Sequence, residues 1–156
     1  MKFDEFKASV TLLDKEQRNF LRNKYIMTFI DVNSEWYHEW IEKRKRYCDG
    51  DCYLGYLWDC LKAKDLIDKA YIEHLHGQLG QVFVFWDIHS CERIFIKDYW
   101  KFDKDAMLFV DFDVLLQGTK YLPEDIYIFD QTFKWTLILT HEDIDGIPYY
   151  LKSGVL

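Results

Sequence analysis

The sequence predicts an α+β fold in which N-terminal helices pack on one face of an antiparallel β-sheet formed by the C-terminal half. Apolar residues recur at helical spacing in the first half of the chain, and from Gln81 onward they alternate with a period of two. A length of 156 residues corresponds to one domain. We therefore expect a single α+β domain over residues 1–156, mainly helical over 1–80 and mainly β over 81–156.

Four helices are expected in the first half. Asp14 begins a capping box and marks the start of the first long helix. The segment 31–34 breaks the first helix and offers the N-cap of a second helix, which would end in the basic run 43–46, because positive charge suits a helix C-terminus. A third helix would begin near Tyr53, and a short fourth helix would follow Asp68.

Strands are expected from Gln81 onward. The apolar run 82–86 is typical of a central strand that is covered on both faces. Residues 93–99 alternate and would form a hairpin with that strand. The segment 106–112 fits both a strand and a helix; we expect a strand that ends near Asp111, followed by a helical turn through Leu116.

The clearest hairpin in the sequence joins residues 126–129 to residues 135–140. Both segments alternate with a period of two, and 130–132 supplies the polar residues of a turn between them. A loop over 142–146 would lead to one further strand. We expect Trp135 to lie in the core of this hairpin.

Composition favours a well-packed soluble domain. Apolar residues make up 49% of the chain and aromatic residues 19%, which argues against disorder. No run approaches the roughly 18 apolar residues that span a bilayer, and the N-terminus carries acids where a signal peptide needs an apolar segment. We therefore expect a cytoplasmic protein with no membrane association.

The charge distribution is uneven along the chain. The net charge is −7, and residues 81–156 alone hold thirteen acids against seven bases. This imbalance argues against nucleic-acid binding and is compatible with a basic protein partner. The basic run 43–46 is interpreted as a solvated helix end, because no second basic cluster accompanies it. An acidic surface that serves only solubility is the alternative.

Carboxylates gather at the ends of the expected strands, and several could converge on one edge of the sheet. They are the candidate contacts for a basic protein partner: Asp111, Asp113, Glu124, Asp125, Glu142, Asp143 and Asp145. An alternative function uses the same residue types differently. Asp111 and Asp113, together with His141 and Glu142, could hold a divalent metal ion for hydrolysis.

Zinc-binding residue types are present without the spacing of a zinc site. The candidates would be Cys48, Cys52, His74, His76 and His89, but CxxxC is wider than the usual knuckle. We predict no metal and no cofactor. The four cysteines are expected to be reduced thiols, since the chain has no export signal.

The run 125–130, followed by Trp135-Thr136 and by 140–142, resembles a C-terminal signature of small uncharacterised bacterial proteins. Several of these are similar to immunity proteins encoded beside polymorphic or contact-dependent toxins. Looser similarity extends to 56–60 and 86–90. The resemblance implies a non-catalytic protein, monomeric or homodimeric, that binds and neutralises a toxin domain. An accessory protein without chemistry of its own is a further possibility.

Overall fold

The computed structural model describes residues 1–47, 50–89 and 101–156. An antiparallel sheet with the strand order β1-β6-β5-β7-β8-β9-β4 forms its centre, and β2 and β3 pair separately. The strands are β1 Thr11–Leu12, β2 Arg44–Tyr47, β3 Gly50–Tyr53, β4 Asp65–Asp68, β5 Gln81–Phe85, β6 Leu108–Asp111, β7 Ile126–Phe129, β8 Trp135–Ile144 and β9 Ile147–Gly154. The helices are α1 Phe3–Ser9, α2 Lys15–Phe29, α3 Glu35–Tyr37, α4 Lys69–His74 and α5 Phe112–Gly118. The α+β class with an antiparallel sheet is confirmed.

Helices cover both faces of the sheet, as the apolar run 82–86 indicated, whereas we expected the N-terminal helices to pack on one face only. α1, α4 and α5 pack on the face that carries Val84 and Ile128. α2 packs on the opposite face, against Phe85 and Tyr127. Because successive residues of β5 and β7 are apolar on both sides, each face needs a helical layer to exclude water.

The two edges of the sheet come from the first half of the chain, although the sheet was expected to form from the second half alone. β1 pairs with β6, and β4 pairs with β9 over residues 149–152. These edge strands have two and four residues. Such short segments show too few alternations for a period of two to be recognised.

The basic run 43–46 is not a helix end. α3 has three residues and continues as one wider helical turn, His38–Glu42, after which Lys43 is extended. Residues 44–46 then belong to β2, which pairs with β3. The third expected helix is only a short 3₁₀ turn, Leu57–Cys60.

Most helix starts were predicted correctly, because they depend on local hydrogen bonds. Asp14 Oδ1 accepts a hydrogen bond from the Gln17 amide at 2.8 Å. Ser34 caps α3, and Asp68 caps α4 by accepting from the Tyr71 amide. Each cap satisfies an amide that would otherwise lack a partner at the helix start.

The β6–α5 junction agrees with its prediction, since β6 ends at Asp111 and α5 begins at Phe112. The β7–β8 hairpin is also confirmed, and Trp135 is 5% exposed. The expected strand 93–99 lies outside the described residues. β5 is nevertheless a central strand, with β6 on one side and β7 on the other.

A buried hydrogen-bond network fixes the turn Leu57–Cys60 against the sheet. The Tyr127 hydroxyl donates to the Asp87 carboxylate at 2.7 Å and accepts from the Trp58 amide at 3.1 Å. The Leu57 amide donates to the other Asp87 oxygen at 3.1 Å. Because these groups are buried, their mutual hydrogen bonds are costly to break. The network holds Trp58 next to the end of β8.

Candidate protein-interaction site

The seven predicted acids separate into two groups at opposite ends of the sheet. Asp111 of β6 is paired with Gln81 of β5, and Phe83 of β5 is paired with Phe129 of β7. Asp111 therefore lies level with the position two residues after Phe129. Asp125 lies four residues before Phe129, which gives an offset of six residues. At the usual strand rise this offset corresponds to about 20 Å. Acids of the two groups therefore cannot converge on one edge, whereas Glu124, Asp125, Glu142, Asp143 and Asp145 lie at the same end.

Asp111 and Asp113 have structural partners. Asp111 Oδ1 accepts hydrogen bonds from the Asp113 and Val114 amides at 3.0 and 3.3 Å, which caps α5. The Asp113 carboxylate accepts from the Gly77 amide at 3.0 and 3.1 Å. This bond ties the loop before β5 to α5. Both acids are thereby explained by the fold without a binding partner.

Asp125 belongs to the second group, directly precedes β7 and is buried, with 4% exposure. Its Oδ1 accepts from the His141 amide at 2.8 Å, and both carboxylate oxygens lie within 2.9 Å of His141 Nδ1. His141 Nε2 lies 3.3 Å from Glu142 Oε1. The ring packs near Tyr56 and Trp58. Asp125 thus holds His141 of β8 in place through hydrogen bonds and does not form part of the exposed surface.

The pKa of His141 is raised by its carboxylate neighbours. Burial lowers it, but the hydrogen bond and charge of Asp125 and the charge of Glu142 outweigh burial. A raised folded-state pKa means that protonated His141 stabilises the fold below the unfolded-state value of 6.5. That contribution is lost as the pH rises through the folded-state pKa.

We therefore predict that His141→Gln destabilises the protein more in mild acid than in mild alkali. Urea denaturation at about pH 5.5 and about pH 8.5 measures this difference. The difference in free energy of unfolding between the wild type and the variant should be smaller at the higher pH. An equal difference in unfolding free energy at both pH values would contradict the ion-pair interpretation.

β8 and β9 are joined by a two-residue turn at Asp145-Gly146. The φ angles of 54° and 81° are both left-handed, as a type I′ hairpin turn requires, and Asp-Gly is a favoured sequence for it. β8 therefore continues through Ile144, and the expected loop over 142–146 is wrong. Asp143 Oδ1 accepts from the Gly146 amide at 3.3 Å, which supports the turn.

Two isoleucines are exposed at this turn. Ile144 and Ile147 form a cross-strand pair and are 51% and 68% exposed. Together with Leu66 of β4, which is 57% exposed, they line a groove of about 460 Å³. Contiguous exposed apolar residues with a polar rim are typical of protein-interaction sites. Alternation in the sequence did not reveal this groove, because it does not tell which apolar residues stay uncovered.

Four of the predicted acids lie at the same end of the sheet as the exposed isoleucines, but none of them lines the groove that the isoleucines form. Glu142, Asp143 and Asp145 lie on the hairpin, and Glu124 lines a neighbouring groove with Glu142 and Asp143. Within the described ranges, none of the four forms an ion pair with a lysine or arginine. We call this surface the acidic hairpin tip, defined by Glu124, Glu142, Asp143, Ile144, Asp145 and Ile147. It presents negative charge and apolar area together.

A metal site is not found where the sequence offered candidates. In residues 1–47, 50–89 and 101–156, no group of three His, Cys, Asp or Glu side chains could hold a metal ion. The acid pairs that the hydrolase alternative combines lie at the opposite ends described above, so one ion cannot bind both. Of the zinc candidates, Cys48 lies outside the described residues, and His89 Nε2 lies 2.7 Å from the Gly55 carbonyl oxygen.

Both cysteines that the structure describes are enclosed by the fold. Cys52 and Cys60 are buried free thiols, while Cys91 lies outside the described residues. Burial, followed by the charge of Asp59, raises the pKa of the Cys60 thiol to about 12. This thiol therefore stays protonated at neutral pH and does not act as a thiolate.

The comparisons leave function to be argued from geometry. The chain matches no protein-family model, and it matches no curated protein and no solved structure. No helix in the described part of the chain is long and apolar enough to cross a bilayer. The resemblance to immunity proteins stays a prediction.

Proposed function

We propose that this protein is a non-catalytic binding protein that captures a basic protein partner at the acidic hairpin tip. The observation that carries the proposal is that one end of the sheet presents both acidic side chains and two exposed isoleucines at a tight turn. Apolar area supplies affinity in protein interfaces, and surrounding charge steers the correct partner and excludes others.

The geometry of the tip favours binding without large rearrangement. The turn is fixed by its left-handed residues and by the Asp143 hydrogen bond. Thr140 Oγ1 donates to the Tyr149 carbonyl at 3.0 Å and accepts from the Glu142 amide at 3.3 Å, across the register shift in β8. A preformed surface loses little conformational entropy on binding, which increases affinity.

The partner we propose is a toxin domain that the protein neutralises, as immunity proteins do. The signature within 125–142 overlaps the residues that support the tip, including Asp125 and His141. Nuclease toxins carry basic active sites, and an acidic inhibitor surface complements such a site. The proposal predicts that a toxin domain is encoded beside the gene of this protein, and that domain is the partner to test.

We predict that Asp143→Asn/Asp145→Asn weakens binding of that toxin domain on the order of tenfold at low salt. Stability should change by less than about 0.5 kcal/mol, since both positions are exposed. Asn-Gly suits a type I′ turn as well as Asp-Gly does. Isothermal titration calorimetry at low and high salt measures the affinity, and urea denaturation measures the stability.

The matched control is Glu16→Gln/Glu39→Gln, which removes the same charge from exposed helical positions of the N-terminal region. This control should bind as the wild type does. If the tip variant and the control bind equally well, the acidic hairpin tip is not the binding surface. Loss of affinity in both variants would indicate that only the net charge matters.

A further inference from the structure

β4 is an exposed edge strand. It pairs with β9 on one side and ends the sheet on the other. In an antiparallel pair, every second residue directs its N–H and C=O away from the neighbouring strand, so the outer side of β4 presents a template for another strand. Its central residue Leu66 is 57% exposed.

The charges along this edge are self-complementary in a two-fold arrangement. In a new strand pair, residues whose backbone N–H and C=O point outward must lie opposite residues of the same kind. A strand can therefore pair with its own copy only in registers that place even-numbered residues opposite even-numbered ones and odd opposite odd. The register that places Leu66 opposite Leu66 of the second copy also places Lys64, the residue just before β4, opposite Asp68 of that copy. The two-fold symmetry repeats this pair, giving two attractive pairs around one apolar contact.

We propose that β4 pairs with β4 of a second copy of this chain, which joins the two sheets in a homodimer. The strand that pairs with this edge is thus β4 of a second copy. The Lys64–Asp68 pairs and the contact between the two Leu66 side chains favour this partner. β4 covers only residues 149–152 of β9. Leu66 also lines the groove that Ile144 and Ile147 form, but the dimer is proposed from the edge of β4 and does not depend on the proposed function.

The contact is small, so dimerisation should be weak, with a Kd on the order of 100 µM. Sedimentation velocity over a range of concentrations around that value is expected to show a reversible monomer–dimer equilibrium. Purely monomeric sedimentation of the wild type well above that value would overturn the proposal. In that case the charges of β4 serve to prevent edge pairing.

Crosslinking tests the register. In the proposed dimer the two copies of residue 66 face each other at a Cα distance of about 4.5–5.5 Å, which suits a disulfide. Leu66→Cys should therefore form a disulfide-linked dimer under mild oxidation. Leu12→Cys is the matched control, because Leu12 is 52% exposed on the opposite edge strand β1. Equal crosslinking of both variants, or of the wild type, would show random collision and contradict the register.

Charge exchange tests the pairing independently. Lys64→Asp alone and Asp68→Lys alone each place like charges opposite, so each homodimer should weaken at least about fivefold. Mixing the two variants restores both attractive pairs, and a heterodimer should form as tightly as the wild-type dimer. Circular dichroism verifies the fold of Asp68→Lys, which lacks the cap of α4. If Lys64→Asp dimerises as the wild type does, the contact lies elsewhere and the proposal fails.

Discussion

Trp135→Ala is expected to lower the free energy of unfolding by about 3–5 kcal/mol. The indole is 5% exposed at the start of β8, within the same core cluster as Val84 and Leu137. Alanine would leave a cavity in the core, and it would also remove the hydrogen bond of 3.1 Å from the indole N–H to the Asp130 carboxylate. Urea denaturation should show a lower midpoint with an unchanged slope.

Trp135→Phe separates the two effects in part, since it keeps one aromatic ring in the core while it removes the N–H and the second ring. We expect this variant to cost less than Trp135→Ala, with about 1 kcal/mol of that cost due to the lost hydrogen bond. A Tm of Trp135→Ala within a degree or two of the wild type would contradict the assignment of this hairpin to the core, because about 3 kcal/mol corresponds to at least about 6 °C.

Gly118→Ala is expected to destabilise the protein by about 2–3 kcal/mol through overpacking. Gly118 has a φ of −104°, which any residue adopts, so backbone strain is not the reason for glycine. A Cβ there would overlap the ring of Phe6, whose side chain is fully buried. Phe6 is held in turn by ring contacts with Phe102 and Tyr121. The ring therefore cannot move without disturbing α1.

A double variant tests this explanation directly. Phe6→Leu alone should destabilise, because it removes a buried ring, but the smaller side chain makes room for a Cβ at position 118. The cost of Gly118→Ala should therefore be smaller in the Phe6→Leu background than in the wild type. Equal costs in both backgrounds would show that the contact between Phe6 and residue 118 does not limit packing.

Local signals in the sequence predicted local structure well. The caps Asp14 and Asp68 depend on groups within three residues, and the β6–α5 junction depends on a change of apolar period at Asp111. The β7–β8 hairpin combines alternation with nearby turn residues. In each case the interacting groups are close in sequence, so pattern and structure are directly linked.

Non-local pairing could not be derived in the same way. β1 and β4 become strands because β6 and β9 offer free edges. The residues Thr11–Leu12 and Asp65–Asp68 carry no local pattern that predicts these pairings. Tyr25 of α2 packs against the buried Thr136, and the two hydroxyl oxygens lie 2.8 Å apart. These contacts depend on strand order and helix placement, which are properties of the whole chain.

The candidate site shows the same division. Its acidic character was predicted, since Glu124, Glu142, Asp143 and Asp145 were all named as contacts and are carried by one end of the sheet. Asp111 is at the other end, because β5 separates β6 from β7 and fixes the level of each strand. The Asp-Gly turn carried a readable signal in the sequence that alternation alone overlooked. The exposed isoleucines could be recognised only from their accessibility.

Hydrogen–deuterium exchange on the protein, alone and bound to the proposed toxin partner, tests the central claim most directly. We expect slower exchange of the amides between residues 142 and 148 and around Glu124 in the complex. The Asp143→Asn/Asp145→Asn variant should lose much of that protection at the same toxin concentration. Slower exchange confined to another surface, such as the β2–β3 hairpin, with residues 142–148 unchanged, would contradict the acidic hairpin tip as the binding site.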